Sequence, residues 1–217
     1  MLAIELENVS KSFGEFLVLN NVSAGFEAEK IHGIIGRNGS GKTVLFKCVC
    51  GLMYPDKGKI LINGENYGLK KRAPQSIGVI IESPGFLPQY SGYRNLKFLA
   101  DINRKVRKEE IRETMRTVGL DPDEGKHVGK YSMGMRQRLG LAQALMEDPD
   151  IIILDEPMNG LDKNGVDDMR KLLDTLRGKH KTILLASHNA EDIHILCDTV
   201  WEMESGVLTK CSSHTSN

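Results

Sequence analysis

The sequence predicts an α/β fold with a core of strands and helices and an inserted helical subdomain. Three observations lead to this prediction. Lys30–Gly36 is a short apolar run that feeds a glycine-rich loop, and a helix is expected directly after the loop. Ile151–Leu154 is a second apolar run, typical of a parallel strand buried on both faces. Between the two, residues 84–148 have helical spacing and no strand pattern.

The elements before the inserted segment are mainly strands. Ala3–Val9 alternates apolar and polar residues, as a half-buried strand does. The dipeptide Asn63-Gly64 is a hairpin-type turn signal directly after a short strand. We therefore expect a strand at Lys30–Gly36, a helix after the glycine-rich loop at Thr43–Cys50, and strands at Lys59–Ile62 and Ser76–Ile81.

The rest of the chain is predicted to be helical first and then to return to alternating strands and helices. Three helices are expected in the inserted segment, at Tyr93–Asp101, Glu109–Val118 and Met133–Glu147. After Ile151–Leu154 we expect helix Val166–Leu176, strand Thr182–Ser187, helix Ala190–Cys197 and a hairpin of Val200–Met203 with Val207–Thr209. The prediction is one domain over 1–217, with its core in 1–83 and 149–217, the helical subdomain in about 84–148, and a frayed end at Ser212–Asn217.

Composition excludes several classes of protein. The 217 residues suffice for a sizeable core, and Lys+Arg and Asp+Glu both total 29. This balance argues against a nucleic-acid binder and against a polybasic membrane anchor. No signal peptide and no run long enough to cross a bilayer is found. We therefore expect a cytoplasmic protein whose role at a membrane needs a partner, with reduced thiols at its four cysteines, Cys48, Cys50, Cys197 and Cys211.

The glycine-rich loop fits the pattern G-x-x-x-x-G-K-[ST]. Its glycines let backbone N–H groups point inward at phosphate oxygens, and the following helix directs its positive end at the same oxygens. In this pattern Lys42 bridges the β- and γ-phosphates, and the Thr43 hydroxyl is a ligand for Mg2+. We therefore predict an ATP and Mg2+ site on Gly36-Arg37-Asn38-Gly39-Ser40-Gly41-Lys42-Thr43.

Two acids follow the buried strand Ile151–Leu154. Because ligands in such folds bind at the carboxyl ends of the strands, Asp155 and Glu156 are expected near the phosphate loop. Asp155 is predicted to hold Mg2+ through water. Glu156 is predicted to lie beside the γ-phosphate, where it can orient or deprotonate the attacking water.

With these motifs in order, the sequence resembles the ATP-binding cassette (ABC) family, the ATPase subunits of ABC transporters, over nearly its whole length. Tyr131-Ser132-Met133-Gly134-Met135 is similar to the family's signature segment, usually Leu-Ser-Gly-Gly-Gln. Ser132 and Gly134 keep the two positions that face the γ-phosphate, whereas Met133 and Met135 replace the usual Gly and Gln. The resemblance implies a RecA-like P-loop NTPase core with an antiparallel β flank.

Other residues extend the resemblance. Asn159–Asp162 is similar to the loop that crosses the dimer interface, His188 to the switch histidine at the γ-phosphate, and Phe13 to the aromatic that stacks on adenine. Residues 77–96 are similar to the branch of bacitracin and lantibiotic export or immunity ATPases. Most of the family has glutamine where this chain has Glu82, which would serve as a ligand of Mg2+.

Each of these residues also has a simpler structural interpretation. Ser132 would serve as a helix N-cap in any case, Phe13 could be a core aromatic, and a lone histidine such as His188 is by default a surface residue. The apolar segment Phe86–Tyr90 is either a loop under the helical subdomain or a surface that covers a membrane subunit.

The resemblance implies a head-to-tail dimer, as a homodimer or with another cassette. Each ATP would lie between the phosphate loop of one chain and Ser132–Gly134 of the other, and a polytopic membrane subunit would convert closure into transport, with export favoured. There are two alternatives. A soluble cassette ATPase acting on nucleic acid or ribosomes usually has two cassettes, a coiled-coil insertion or a basic arm, none of which is found in this sequence. A small-molecule kinase would not explain Tyr131–Met135 or His188.

Overall fold

The computed structural model describes residues 1–66, 77–82 and 85–211. Ser76, Pro84 and the predicted frayed end Ser212–Asn217 lie outside the described residues. The strands are β1 (Leu2–Phe13), β2 (Phe16–Glu27), β3 (Ile31–Ile35), β4 (Lys57–Ile62), β5 (Glu65–Asn66), β6 (Ile77–Ile80), β7 (Ile151–Asp155), β8 (Thr182–Ala186), β9 (Thr199–Glu204) and β10 (Val207–Lys210). The helices are α1 (Lys42–Val49), α2 (Gly92–Asn103), α3 (Lys108–Thr117), α4 (Met133–Leu145), α5 (Lys163–Arg177) and α6 (Ala190–Leu196).

The main sheet has the strand order β10-β9-β3-β8-β7-β6 among the described residues. β9, β3, β8, β7 and β6 run parallel, and β10 closes the edge as an antiparallel hairpin with β9. The prediction of an α/β fold is confirmed. Because β3, β8, β7 and β6 are parallel neighbours, their carboxyl ends meet along one edge of the sheet.

A second, antiparallel sheet has the order β2-β1-β4-β5. The predicted turn at Asn63-Gly64 is confirmed, since Ile62 pairs with Glu65 and both turn residues have positive φ. The strand β2 is missing from the sequence prediction. Its alternation is interrupted where Asn21 adopts φ of 51° and the register with β1 shifts between Leu6 and Val9. Such irregularities shift the apolar residues out of strict alternation.

Helices without any described strand connect β6 to β7. α2, α3 and α4 pack on one another, and a 3-10 turn at Val128–Lys130 leads into α4. Each of two helices begins at a serine N-cap: Ser91 accepts a hydrogen bond from the Arg94 N–H, and Ser132 accepts one from the Met135 N–H. The N-cap interpretation of Ser132 is therefore confirmed.

Some predicted helix bounds differ from those of the structure. α5 begins at Lys163 rather than Val166, because Asp162 caps it by accepting a hydrogen bond from the Gly165 N–H at 2.8 Å. The family resemblance alone predicts a loop at Asp162. An aspartate followed by a helical apolar pattern is itself an N-terminal signal.

The core is built on both faces of the parallel sheet. In β7, Ile151 and Ile153 join the apolar cluster between the two sheets, while Ile152 and Leu154 join the cluster under α2–α5. A strand that buries both faces must be apolar at every position, which is why it appears in the sequence as a continuous run. Among the described residues, no helix combines the length and apolar character needed to span a membrane.

Candidate nucleotide site

The predicted site residues follow four neighbouring parallel strands. The phosphate loop follows β3, His188 follows β8 after one residue, Asp155 and Glu156 end β7, and Glu82 follows β6 after one residue. Neighbouring parallel strands deliver their carboxyl ends to one edge, so residues far apart in sequence are brought together. The sheet topology is therefore what assembles the candidate site.

The phosphate loop has a backbone that only glycine supports at two positions. Gly36 has φ of 153°, and a Cβ there would lie 2.3 Å from the Met203 carbonyl oxygen. Gly41 has φ of 114° and is the N-cap of α1, yet no side chain caps this helix. The first N–H groups of α1 therefore have no side-chain partner at the N-cap and carry the positive end of the helix dipole, as an anion site requires.

Lys42 places its cation inside the curl of the loop. The residue is buried, and its Nζ donates to the carbonyl oxygens of Gly36 at 2.7 Å and of Arg37 at 3.2 Å. A buried ammonium held only by neutral carbonyls retains its full charge for an anion that enters the loop. Its position fits the predicted phosphate contact.

The two predicted Mg2+ ligands of the core touch one another. The Thr43 hydroxyl donates to Oδ2 of Asp155 at 2.6 Å. Burial is the main cause that raises the pKa of Asp155, while the Thr43 hydrogen bond lowers it and the nearby carboxylates of Glu156 and Glu82 raise it. A half-buried carboxylate beside further acids favours a cation, and the hydroxyl and carboxylate oxygens are donors that suit Mg2+.

Glu156 and His188 form a close pair. Oε2 of Glu156 lies 2.8 Å from Nδ1 of His188 and also accepts a hydrogen bond from the His188 N–H at 3.3 Å. Oε1 of Glu156 is buried and has no hydrogen-bond partner in the described part of the chain. Glu156 has φ of 53°, a conformation that non-glycine residues adopt rarely and that is enriched at functional sites. The buried, unpartnered oxygen fits a base that binds water.

One cavity of about 440 Å³ joins most of the predicted residues. A neighbouring cavity of about 580 Å³ is lined by His188 and shares Asn38 and Gly39 with the first. The first cavity is lined by Val18, Asn38, Gly39, Gly41, Lys42, Thr43, Val44, Glu82, Asp155 and Glu156. The second is also lined by Gly36, Arg37 and Ser40 of the phosphate loop.

Glu82 lines the first cavity, but its carboxylate contacts a cation rather than Thr43. Oε1 lies 2.7 Å from Nζ of Lys47, and the residue has φ of 62°. Lys47 was not among the residues singled out in the sequence. It follows Thr43 by four positions, and therefore lies on the same face of α1, which is the signal that could have found it.

Three predicted nucleotide-binding residues lie outside both cavities. Phe13 ends β1 beside the turn to β2, is 46% exposed, and has Nζ of Lys11 5.8 Å from its ring centre. Val18, on the neighbouring strand β2, lines the cavity instead, and was missed because β2 itself was missed. Ser132 and Gly134 lie at the start of α4 and line neither of the two cavities that contain the phosphate loop.

The signature segment lies directly against the loop Asn159–Asp162. A Cβ on Gly160 would lie 2.0 Å from Sδ of Met133, and one on Gly134 would lie 3.5 Å from Cδ2 of Leu161. Gly160 has φ of 71°. Only glycine at 160 lets the Met133 side chain lie on the loop, so these two segments form one surface.

Comparisons with known proteins agree with this geometry. Residues 19–159 match the family described as ABC transporter. The chain is 42% identical over 205 residues to an uncharacterized ABC transporter ATP-binding protein, YybJ of Bacillus subtilis (strain 168), covering 94% of both chains. It is 38% identical to the bacitracin transport ATP-binding protein BcrA of Enterococcus faecalis, covering 95% of this chain and 68% of BcrA. The fold matches that of the ATP-binding cassette MJ0796, a dimer bound to ADP and Pi, with a TM-score of 0.85 and 20% identity over 97% of this chain and 99% of that one.

Proposed function

The chain belongs to the ABC transporter family as an ATP-binding and ATP-hydrolysing subunit, and on that premise we propose which of its residues carry each step and what it transports. The observation that carries the proposal is the single cavity in which Lys42, Thr43, Asp155 and Glu156 meet beside the uncapped start of α1. That arrangement supplies a cation, a metal site and a base within reach of one bound triphosphate.

The phosphate loop and Lys42 bind the β- and γ-phosphates of ATP. Thr43 and Asp155 hold Mg2+, with Glu82 as a further oxygen ligand from the next strand. Mg2+, when bound, neutralises the charge that develops on the phosphate oxygens. Phe13 stacks on adenine at the side of the cavity where Val18 lies.

Glu156 is the residue that binds and deprotonates the attacking water. Oε1 is buried and has no hydrogen-bond partner among the described residues, so it would accept one from a water that reaches it with the nucleotide, while Oε2 is held by His188. His188 orients the carboxylate and can sense the γ-phosphate from the neighbouring cavity, whose wall also includes Ser40. The geometry thus supports separate roles for the two oxygens of one carboxylate.

Two chains bind each ATP between the phosphate loop of one and the signature segment of the other. Within one chain, Ser132 and Gly134 lie outside the cavities that contain the phosphate loop, so they are available to a partner's nucleotide. The N–H groups at the start of α4 provide a second positive helix end for the γ-phosphate. The helices of about 84–148 would act as a subdomain that carries this segment towards the partner.

The chain works on the cytoplasmic face of the membrane, bound to a polytopic subunit. Leu87, which precedes α2, and Phe98 and Ile102 on α2 are exposed apolar residues, and they supply the contact surface. The similarity to a bacitracin transport protein favours export of a peptide or drug. Phe86, by contrast, packs against the core, and Leu87 is the large apolar residue of the segment Phe86–Tyr90 that is exposed.

The test combines activity with co-purification. The purified chain should release phosphate from ATP without making a phosphorylated product, and the tagged chain should retain a polytopic membrane protein from its own cells. A Leu87→Ser, Phe98→Ser variant should keep the ATPase activity and lose the membrane protein. Retention of that protein by the variant would overturn the assigned surface, and transfer of phosphate to a small molecule would overturn the assigned reaction.

A further inference from the structure

One residue of the cavity wall, Glu82, forms an ion pair that the family resemblance does not account for. Lys47 lies in the last turn of α1, four residues after Thr43, and its Nζ is 2.7 Å from Oε1 of Glu82. The Lys47 side chain is 30% exposed and that of Glu82 is 66% exposed. The pair therefore joins the helix that starts at the phosphate loop to the residue that follows β6, at the border between cavity and solvent.

The charges around the cavity explain why Glu82 needs a cation. Glu82 and Glu156 both act on Asp155, and their negative charges add to burial in raising the pKa of that carboxyl. A triphosphate adds further negative charge to the same cavity. Lys42 offsets part of this charge, since it lowers the pKa of Asp155, but in the proposed function its ammonium group serves the phosphates. Lys47 is placed to offset the charge of Glu82.

We propose that Lys47 is a positioning residue of the nucleotide site, which holds the Glu82 carboxylate to the side of the cavity and releases it to Mg2+ when the metal enters with ATP. Glu82 thus has two alternative cationic partners, Lys47 and the metal. The inference rests on the proposed function, since it needs Mg2+ and ATP to bind at Thr43 and Asp155.

The proposal makes a specific statement about Mg2+ dependence. Without Lys47 and without Mg2+, the Glu82 carboxylate is uncompensated and repels ATP. Without Lys47 but with Mg2+, the carboxylate still has the metal as its partner. Loss of Lys47 therefore increases the ratio of the ATP dissociation constants measured without and with Mg2+. Because solvent reaches this pair, the expected increase is about two- to fivefold.

The experiment is a double-mutant cycle on the full chain. ATP binding is measured by calorimetry in EDTA and in Mg2+ for the wild type, Lys47→Met, Glu82→Gln and the double variant. Lys47→Met should increase the ratio, Glu82→Gln should decrease it, and Lys47→Met should have little effect on the ratio in the Glu82→Gln background. Lys47→Arg keeps the charge and should keep the wild-type ratio. Thermal melting checks that every variant folds.

The outcomes separate the inference from the proposed function. A wild type that binds no ATP in Mg2+ would overturn the proposed function. A wild type with Mg2+-dependent binding, together with an unchanged ratio in Lys47→Met, would overturn only the inference. If Lys47→Met increases the ratio equally with glutamate and with glutamine at position 82, the inference is also overturned. Lys47 would then act on the phosphates directly or on the fold.

Discussion

Two helices of this chain begin where a phosphate is expected to bind, and their N-termini differ. α1 starts after Gly41 with no side-chain cap, whereas α4 starts after Ser132, whose hydroxyl accepts a hydrogen bond from the Met135 N–H at 3.2 Å. Both present the positive end of a helix dipole. The first lies in the wall of a cavity and the second on an exposed surface, where Met133 is 58% exposed.

The residues around each helix start explain why the N-termini of α1 and α4 differ. Next to α1 lie the cation of Lys42, the Thr43–Asp155 pair and the buried carboxylate of Glu156. The start of α4 lies outside both cavities that contain these groups, and contacts the loop at Gly160 instead. In the proposed function, the N-terminus of α1 is a binding site within one chain, whereas that of α4 becomes a site only against a partner's nucleotide. Substitutions at each helix start test the two N-termini separately.

The largest effect is expected at the first helix, from Lys42→Ala. This change removes a buried cation from a loop of neutral N–H donors, and charged hydrogen bonds contribute about 1.5–3 kcal/mol each. ATP affinity should fall by about 100-fold or more, as measured by calorimetry in Mg2+. Lys59→Ala, at the exposed ion pair with Glu7, is the control and should bind as the wild type does. Near-native affinity of Lys42→Ala would contradict the assigned phosphate loop.

Glu156→Gln should leave ATP binding intact and slow hydrolysis by about 100-fold or more, because the amide keeps the shape and loses the base. Phosphate release measures the rate, and light scattering after size-exclusion chromatography should show an ATP-stabilised dimer. Glu29→Gln is a matched control, since Glu29 also lies 2.8 Å from a histidine Nδ1, that of His180. That pair lies at the opposite edge of the sheet. Wild-type turnover of Glu156→Gln would remove it from the mechanism.

A change at the second helix should affect only the dimer. Ser132→Asp keeps an N-cap, because aspartate caps helices as well as serine does, but it places a negative charge where a partner's γ-phosphate is expected. In the Glu156→Gln background the affinity of the ATP dimer should fall by about tenfold or more, while ATP binding by a single chain stays within about twofold. Ser91→Asp, the same change at the N-cap of α2, is the control. Weaker ATP binding by monomeric Ser132→Asp would contradict the separation of the two sites.

The smallest effect is expected from Glu82→Gln. Glutamine keeps a carbonyl oxygen for the metal and leaves the base Glu156 unchanged, so hydrolysis should stay within about tenfold of the wild type. ATP affinity should depend on Mg2+ less steeply than in the wild type, because an ionised carboxylate repels ATP when no metal is bound. Phosphate release measures the hydrolysis rate, and ATP binding with and without Mg2+ measures the metal dependence of the affinity. Equal Mg2+ dependence would mean that Glu82 faces away from the metal in the bound state.

The sequence predicts those elements of the fold whose burial is visible in their own residue pattern. β3 and β7 are buried on both faces, so they appear as apolar runs, and each ends at a motif. β2 was missed because the bulges that bend it against β1 disturb its alternation, with Asn8 and Asn21 at positive φ. The residues that depended on this strand, such as Val18, were missed with it.

The candidate site likewise contains residues that local motifs identify and residues that only the fold brings together. Lys42, Thr43, Asp155 and Glu156 belong to local motifs, and the parallel order of β3, β8, β7 and β6 then brings them together. The Lys47–Glu82 pair has no local motif, because it joins a helix to a residue just after β6, 35 positions away. Its proximity depends on how α1 packs beside the end of β6. Spacing from Thr43 could suggest the face of Lys47 but not its partner.

The central claim is that each ATP binds between the phosphate loop of one chain and Ser132–Gly134 of another. The most direct test mixes two chains in the Glu156→Gln background, one with Lys42→Ala and one with Ser132→Asp. The mixed dimer has one composite site with both halves intact, formed by the phosphate loop of the Ser132→Asp chain and the signature segment of the Lys42→Ala chain. Light scattering in Mg2+ and ATP, at a protein concentration at which the Ser132→Asp chain alone stays monomeric, should show no dimer for either chain alone and a dimer for the mixture. Two monomers in the mixture, or an ATP-dependent dimer of the Lys42→Ala chain alone, would contradict the claim.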